Sequence, residues 1–303
     1  MTRQSKAPAR VSAALLLLLA AGAWTAWAQP AVVRIEKIPL PASRAWTMPQ
    51  WSPDGTTVYF TASDFNGIWS YALSSGTVRQ VTSDRQSGYG FLIAPDGSEI
   101  IYRRTLTDAR ARVRLQETVA RSLTGTGSRR VASGSDLQLP SMESLRPAVV
   151  PADQTVLLGI ENNKIAVMRE GKKVLLDPLG GDGRYIWPDL SPDGKRLVAC
   201  DMERGSFVSD SDGGNPVRLG RRNAAVWTRD GRWLVYMADR DDGHRVTGSE
   251  LAAVSADGKR TTALTATRGR AEMYPRCSPT GDRIVCSTLG GEILILTYRE
   301  GGR

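Results

Sequence analysis

The chain has 303 residues, 41% hydrophobic and 23% charged, a balance that builds a cored protein and excludes a wholly disordered one. Its 40 Lys and Arg outnumber 31 Asp and Glu, giving a net charge of +9, and only seven of the 40 are Lys. A single His excludes any catalytic or metal site that needs two or more imidazoles.

The chain opens with a pattern of export. Arg3, Lys6 and Arg10 precede an apolar run, Val11 to Ala23, and Ala26-Trp27-Ala28 offers small residues where a signal peptidase reads. The run is about 13 residues, short of the roughly 20 that span a bilayer. Residues 1–28 are therefore expected to be a signal peptide cleaved after Ala28. Residues 29–303 would follow as a periplasmic or secreted chain with no stable membrane insertion. Next comes Val32 to Ile38, an extended apolar-polar stretch that resembles Val78 to Val81 further along the chain.

A hairpin motif then recurs. Trp51-Ser52-Pro53-Asp54-Gly55 is followed by Ile93-Ala94-Pro95-Asp96-Gly97, a degraded Val149-Val150-Pro151-Ala152-Asp153 and Leu190-Ser191-Pro192-Asp193-Gly194. Trp227-Thr228-Arg229-Asp230-Gly231 and Cys277-Ser278-Pro279-Thr280-Gly281 complete six copies. The last positions, 55, 97, 153, 194, 231 and 281, are 42, 56, 41, 37 and 50 apart, spacings centred on the length of a propeller blade. Pro presets φ, Asp bonds its own backbone, and Gly accepts positive φ, so each copy predicts a tight turn. Three adjacent apolar or small residues follow every turn, from Val58-Tyr59-Phe60 to Ile284-Val285-Cys286. A continuous apolar run means burial on both faces, as in a sheet packed between two others. Two further strands complete each unit, as in Ile68–Leu73 and Thr77–Thr82. The long second interval holds an extension: Ala111–Gln116 alternates as a strand, Thr124–Ser128 turns, and Asp136–Ser144 reads as a surface loop. The last unit ends on Glu292–Thr297, one strand short, and Val32–Ile38 supplies the missing strand. The expected fold is all-β: a six-bladed β-propeller of four-stranded antiparallel blades, closed by the N-terminal strand. Cys200, Cys277 and Cys286 read as small buried strand residues, with a Cys277–Cys286 bridge as the alternative.

These residues resemble the TolB-like propeller family, whose units carry a Pro-x-Trp-Ser-Pro-Asp-Gly hairpin. Pro49-Gln50-Trp51-Ser52-Pro53-Asp54-Gly55 matches it, Pro188 to Gly194 nearly as well, and Gly213-Gly214-Asn215-Pro216 resembles the family's turn into the fourth strand. The resemblance covers the chain after the leader and implies a WD40-like propeller that binds other proteins. The α/β domain that precedes the propeller in TolB itself is expected to be lacking. Related repeats occur in propellers attached to serine peptidases and in a pectin-fragment lyase whose metal is held mainly by histidines. This chain has no Gly-x-Ser-x-Gly turn and one His, so neither chemistry transfers.

Loops that enter the innermost strands open onto one face around the channel. Alignment of the six units places there Arg44 and Trp46, Arg85 and Tyr89, Arg146, Arg184 with Tyr185 and Trp187, Arg221 and Arg222, and Arg268, Arg270 and Tyr274. Arg forks recognise carboxylate, and aromatics give flat contact area. The candidate ligand-binding set is Arg44, Trp46, Tyr89, Arg146, Arg184, Tyr185, Trp187, Arg222, Arg270 and Tyr274. His244, within Asp239–Arg245, reads as a solvated loop, and the Asp-Gly runs there and at Asp210–Asp212 read as turns rather than calcium loops. No cofactor or metal is expected. Nor is nucleic acid, because export argues against it and no nucleic-acid motif appears. The expected function is a non-enzymatic binding or scaffold propeller that recognises an envelope or periplasmic protein through an acidic or carboxylate-bearing segment. The alternative is a hydrolase or lyase of envelope or periplasmic carbohydrate, using carboxylates such as Asp64, Glu161, Asp201 or Glu272.

Overall fold

Residues 29–108, 113–134, 146–147, 156–169, 172–267 and 269–300 are described by a computed structural model of the chain. They form twenty-four strands. After β1 (Pro30–Lys37), blade 1 holds β2 (Trp46–Trp51), β3 (Thr57–Ala62), β4 (Ile68–Ala72) and β5 (Thr77–Thr82). Blade 2 holds β6 (Leu92–Ile93), β7 (Glu99–Asp108), β8 (Val113–Ser122) and β9 (Ser128–Gly134). Blade 3 holds β10 (Arg146–Pro147), β11 (Val156–Glu161), β12 (Lys164–Arg169) and β13 (Lys172–Leu176). Blade 4 holds β14 (Tyr185–Leu190), β15 (Arg196–Asp201), β16 (Gly205–Asp210) and β17 (Val217–Gly220). Blade 5 holds β18 (Asn223–Trp227), β19 (Trp233–Asp241), β20 (Val246–Ser255) and β21 (Thr261–Ala263). Blade 6 holds β22 (Glu272–Cys277), β23 (Arg283–Thr288) and β24 (Ile293–Glu300). Every sheet has four antiparallel strands, and the sixth takes β1 as its outermost. Ile35 pairs with Leu296 and Lys37 with Leu294, so the two ends of the chain complete one sheet. The six-bladed propeller read from the repeats is the observed fold.

The apolar triplets have a direct physical cause. In β19, Leu234 packs toward blade 4, while Val235 packs toward blade 6. In β3, Val58 and Phe60 meet blade 6 and Tyr59 meets blade 2. Successive side chains of a strand point to opposite faces, so a strand between two blades must be apolar at every position. The core is accordingly a series of clusters, each between neighbouring blades. Burying one such Leu contributes about 1.5–3 kcal/mol.

The hairpins work as their chemistry predicts. Ser52 Oγ donates to Asp54 Oδ1 at 2.5 Å, Asp54 Oδ1 accepts from the Thr56 amide at 3.0 Å, and Gly55 takes φ +68°. Ser191, Asp193 and Gly194 repeat this, with 2.5 Å from Ser191 Oγ to Asp193 Oδ1. Thr228 and Asp230 do so at 2.6 Å. Arginines then tie hairpins together around the ring. Arg196 Nη2 donates to Gly231 O at 2.5 Å, and Arg229 Nη1 to Thr280 O at 2.7 Å.

One expectation changes. The extension in the second unit is that blade's own outer half: β7 and β8 pair over ten residues each, from Glu99–Ser122 to Asp108–Val113. The three cysteines are free strand residues, as their first reading expects; Cys200 and Cys286 are buried, Cys277 is half-buried opposite Ile284, and the alternative Cys277–Cys286 bridge does not form. The leader, the Asp136–Ser144 loop, the degraded hairpin and Arg268 lie outside the described residues.

Candidate functional site

All innermost strands begin at one face, the channel mouth, opposite the Pro-Asp-Gly hairpins. There the backbone does something the repeat did not announce. Met48, Trp187, Ala224 and Tyr274 take φ of 52°, 53°, 49° and 54°. Each sits where its strand slips register, between Thr47 and Gln50, Ile186 and Asp189, Asn223 and Val226, and Met273 and Arg276. Gly90 holds the equivalent place in blade 2 at φ 74°. Three of these residues precede proline, where an extended backbone is the relaxed choice. A left-handed non-glycine residue costs on the order of 1–3 kcal/mol and persists only where the surroundings impose it. The innermost strands thus carry a ring of strained bulges at the channel mouth.

The sequence-selected residues divide around this ring. Trp187 and Tyr274 are bulge residues and half-buried. Tyr89 is 42% exposed and meets Phe65 edge-on at 5.2 Å. Arg44 lies over Trp69 at 5.4 Å, and Arg222 over Tyr236 at 5.5 Å. Arg184 pairs with Glu203 at 2.5 Å and Arg270 with Glu292 at 3.7 Å. Arg85 and Arg221 are exposed, and Arg146 lies on β10 with its side chain outside the description. Trp46 and Tyr185 do not belong to a rim. Trp46 is buried against Phe60 and Trp69, with its Nε1 donating to Pro41 O at 3.1 Å. Tyr185 is 1% exposed. Its hydroxyl donates to Asp177 at 2.6 Å and accepts from the Leu179 amide at 3.0 Å. Both are the first residues of innermost strands, and the strand turns them between blades.

Burial and the Asp177 contact push the Tyr185 hydroxyl up to about 12, so it stays a donor that pins the 177–184 loop. Asp201 and Arg204 secure the same corner. Burial alone would raise the Asp201 carboxyl, but the Arg204 guanidinium and the amides of Arg204, Glu203 and Arg184 outweigh it and hold it at about 2. Arg204 also donates to the Leu179 and Gly180 carbonyls at 3.1 and 3.0 Å. The loop beside Trp187 is therefore preorganised.

Of the four carboxylates proposed for catalysis, Asp64 caps its own turn through the Asn66 amide at 3.0 Å. Glu161 pairs with Lys173 at 2.7 Å, and Asp201 is committed to Arg204. Glu272 has a carboxylate neighbour that sequence reasoning missed. Thr265 Oγ1 lies 2.8 Å from Glu250 Oε2 and 3.5 Å from Glu272 Oε2, and Thr267 Oγ1 bonds both acids. Burial raises the Glu272 carboxyl, and Glu250 raises it further. Glu272 is 0% exposed and Glu250 is partly exposed, so the pair lies between blades 5 and 6 with one acid buried and the other reaching the surface. Glu250 precedes the apolar run Leu251–Val254, and only the fold brings it to Glu272.

No protein-family model and no curated protein matches the sequence. Solved structures do match in fold. TolB from Acinetobacter baumannii is similar at 16% identity and TM-score 0.53, over 86% of this chain and 57% of that one. The chain thus spans just over half the length of that relative. An oligogalacturonate lyase in complex with manganese is similar at 11% identity and TM-score 0.53, over 88% and 93%. The chain shares its six-bladed propeller fold with both structures. A manganese site does not fit the residues present: among the described residues no three His, Cys, Asp or Glu side chains converge, and His244 stands in the exposed 242–245 turn.

Proposed function

We propose that this chain is an exported binding propeller that recognises a protein or peptide on its channel-mouth face. The observation that carries the reading is the strained ring: the same left-handed bulge recurs in four innermost strands without glycine, holding Met48, Trp187 and Tyr274 at the mouth. Strain retained at equivalent positions marks a surface shaped for contact rather than for stability. The pinned 177–184 loop and the Arg-aromatic surroundings suit an acidic or carboxylate-bearing segment. Residues 1–28 act as the cleaved leader and 29–303 as the propeller, and no helix among the described residues is long and apolar enough to cross a membrane. The test is capture from an envelope extract with the 29–303 chain. Arg184→Ala with Trp187→Ala should lose the partners that the unaltered chain retains, while Lys195→Ala on the hairpin face keeps them. Equal recovery by all three sinks the reading.

The Glu250–Glu272 pair favours a second reading, a carboxylate-dependent enzyme acting on envelope carbohydrate. The complete burial of Glu272 weighs against it, because a general acid must reach its substrate and only Glu250 is partly exposed. Turnover of oligogalacturonate, with or without manganese, that disappears in Glu250→Gln would establish it.

A further inference from the structure

Two blades differ from the other four at the channel mouth. The second strand of every blade runs from the hairpin face to the mouth. It has six residues in blades 1, 3, 4 and 6, but ten in blade 2 (β7) and nine in blade 5 (β19). The third strands of those two blades match, with ten residues each in β8 and β20. The excess over six, four residues in β7 and three in β19, is about 10–13 Å at about 3.3 Å per residue. Consecutive blades pack side by side around the closed ring, so the second and the fifth lie opposite each other. Two β-hairpin arms therefore flank the mouth from opposite sides of the channel.

Both arms are tied at the foot to loops that enter innermost strands. In blade 2 the Thr105 amide donates to Arg85 O at 3.0 Å, and Thr105 Oγ1 to Gln86 Oε1 at 2.5 Å. Arg104 lies between Glu117 at 2.9 Å and Asp84 at 3.7 Å. In blade 5, Asn223 Nδ2 donates to both carboxylate oxygens of Asp239, at 2.9 and 3.0 Å. Ser249 bridges to Ala271 and donates from Oγ to Glu272 O at 2.6 Å. Glu250 accepts from the Thr267 amide at 3.0 Å, so the Glu250–Glu272 pair lies in the anchor of this arm.

The arms and their feet carry uncommitted positive charge. Arg85 enters blade 2, Arg221 enters blade 5 and Arg240 lies on the blade-5 arm; all three are exposed and form no ion pair among the described residues. The acids of that arm are already occupied. Asn223 holds Asp239, Asp241 accepts from the Gly243 amide at 2.9 Å, and Asp242 from the His244 and Arg245 amides at 3.0 and 2.9 Å. Between the arms, the short turns of blades 3 and 4 and of blades 6 and 1 leave the mouth open on two sides. Met202, in the β15–β16 turn, stands on one side and Leu289, in the β23–β24 turn, on the other. At 61% and 60% exposure they are the most exposed large hydrophobic residues described. We infer that the two arms wall a trough across the mouth, which holds one acidic segment of a partner protein with an apolar residue toward each end. Its carboxylates meet the arginines of the walls, and its ends cover Met202 and Leu289. The inference rests on the binding function proposed above and adds to it the charge of the partner and the line along which it lies.

The test is fluorescence anisotropy of the 29–303 chain with a labelled peptide of about 14 residues, alternating Ala and Glu with Leu at each end, about 45 Å long when extended. It should bind saturably, and the same peptide with Lys for Glu about tenfold or more weaker. Arg85→Glu with Arg240→Glu should cost the acidic peptide about tenfold and flatten its salt dependence. Met202→Ser with Leu289→Ser should weaken the Leu-ended peptide and leave an Ala-ended one unchanged. Replacing residues 240–248 by Asn-Gly shortens the blade-5 arm to a two-residue turn between the paired Asp239 and Ser249. That variant should keep its thermal unfolding and lose the preference for the acidic peptide. No saturable binding by the unaltered chain, equal binding of the Glu and Lys peptides, or full preference in the shortened arm overturns the trough. Tighter binding of oligogalacturonate than of the peptide overturns a protein as its occupant. Partners captured from envelope extract separate the two readings. If Arg184→Ala with Trp187→Ala loses them while the shortened arm keeps them, the mouth surface stands and the trough fails. If only the shortened arm loses them, the trough stands and the Arg184–Trp187 surface fails.

Discussion

The Pro-Asp-Gly hairpins and the innermost-strand bulges both place residues in the left-handed region, but with different residue types. In the hairpins the positive-φ positions are Gly55, Gly97, Gly194 and Gly231; in the channel-mouth bulges they are Met48, Trp187, Ala224 and Tyr274, with Gly90 alone following the rule. Glycine adopts that conformation at no steric cost, whereas a Cβ there costs about 1–2 kcal/mol. The hairpins are turns optimised residue by residue. The bulges keep side chains in a costly conformation, which is the pattern expected where side-chain placement matters more than stability.

The largest expected effect sharpens the hairpin side. A Cβ at Gly55 would run into Thr280 Oγ1 of the adjacent blade-6 hairpin as well as adopt φ +68°. Gly55→Ala should therefore lose about 2–4 kcal/mol in denaturant unfolding. A loss below about 1 kcal/mol would show that the hairpin ring is softer than described.

Asp201 tests the support of the mouth. Its folded pKa, about 2, lies below the ordinary 3.8. It therefore contributes stability above the unfolded value that is lost as pH falls from about 4 through about 2, on the order of 2 kcal/mol at neutral pH. Asp201→Asn should show that loss at pH 7 and converge with the unaltered chain near pH 2. Parallel curves would deny Asp201 the role.

On the bulge side, Ala224→Gly should raise stability by about 1 kcal/mol, because it relieves the left-handed Cβ. This is opposite in sign to Gly55→Ala, and a loss would remove the contrast between the faces. The smallest effect is at Glu272. Its raised pKa means that the folded chain holds a proton the unfolded chain releases above its ordinary 4.5. Stability from this group is present in acid and lost as pH rises through the folded value. Glu272→Gln should gain on the unaltered chain as pH rises, measured by thermal unfolding across that range. A constant difference would mean the carboxyls do not share a proton.

Sequence alone determined the repeat, the turn chemistry and the ring closure. Pro, Asp and Gly act on their own few residues, and an apolar triplet states its two-sided burial locally. Even so, Trp46 and Tyr185 were legible as aromatics near the mouth but not as interior residues, since a one-position step along a strand reverses the face. The bulges and the meeting of Glu250 with Glu272 were decided by tertiary structure. Each depends on strands from different parts of the chain being brought together at a particular register, a long-range quantity that no short motif encodes.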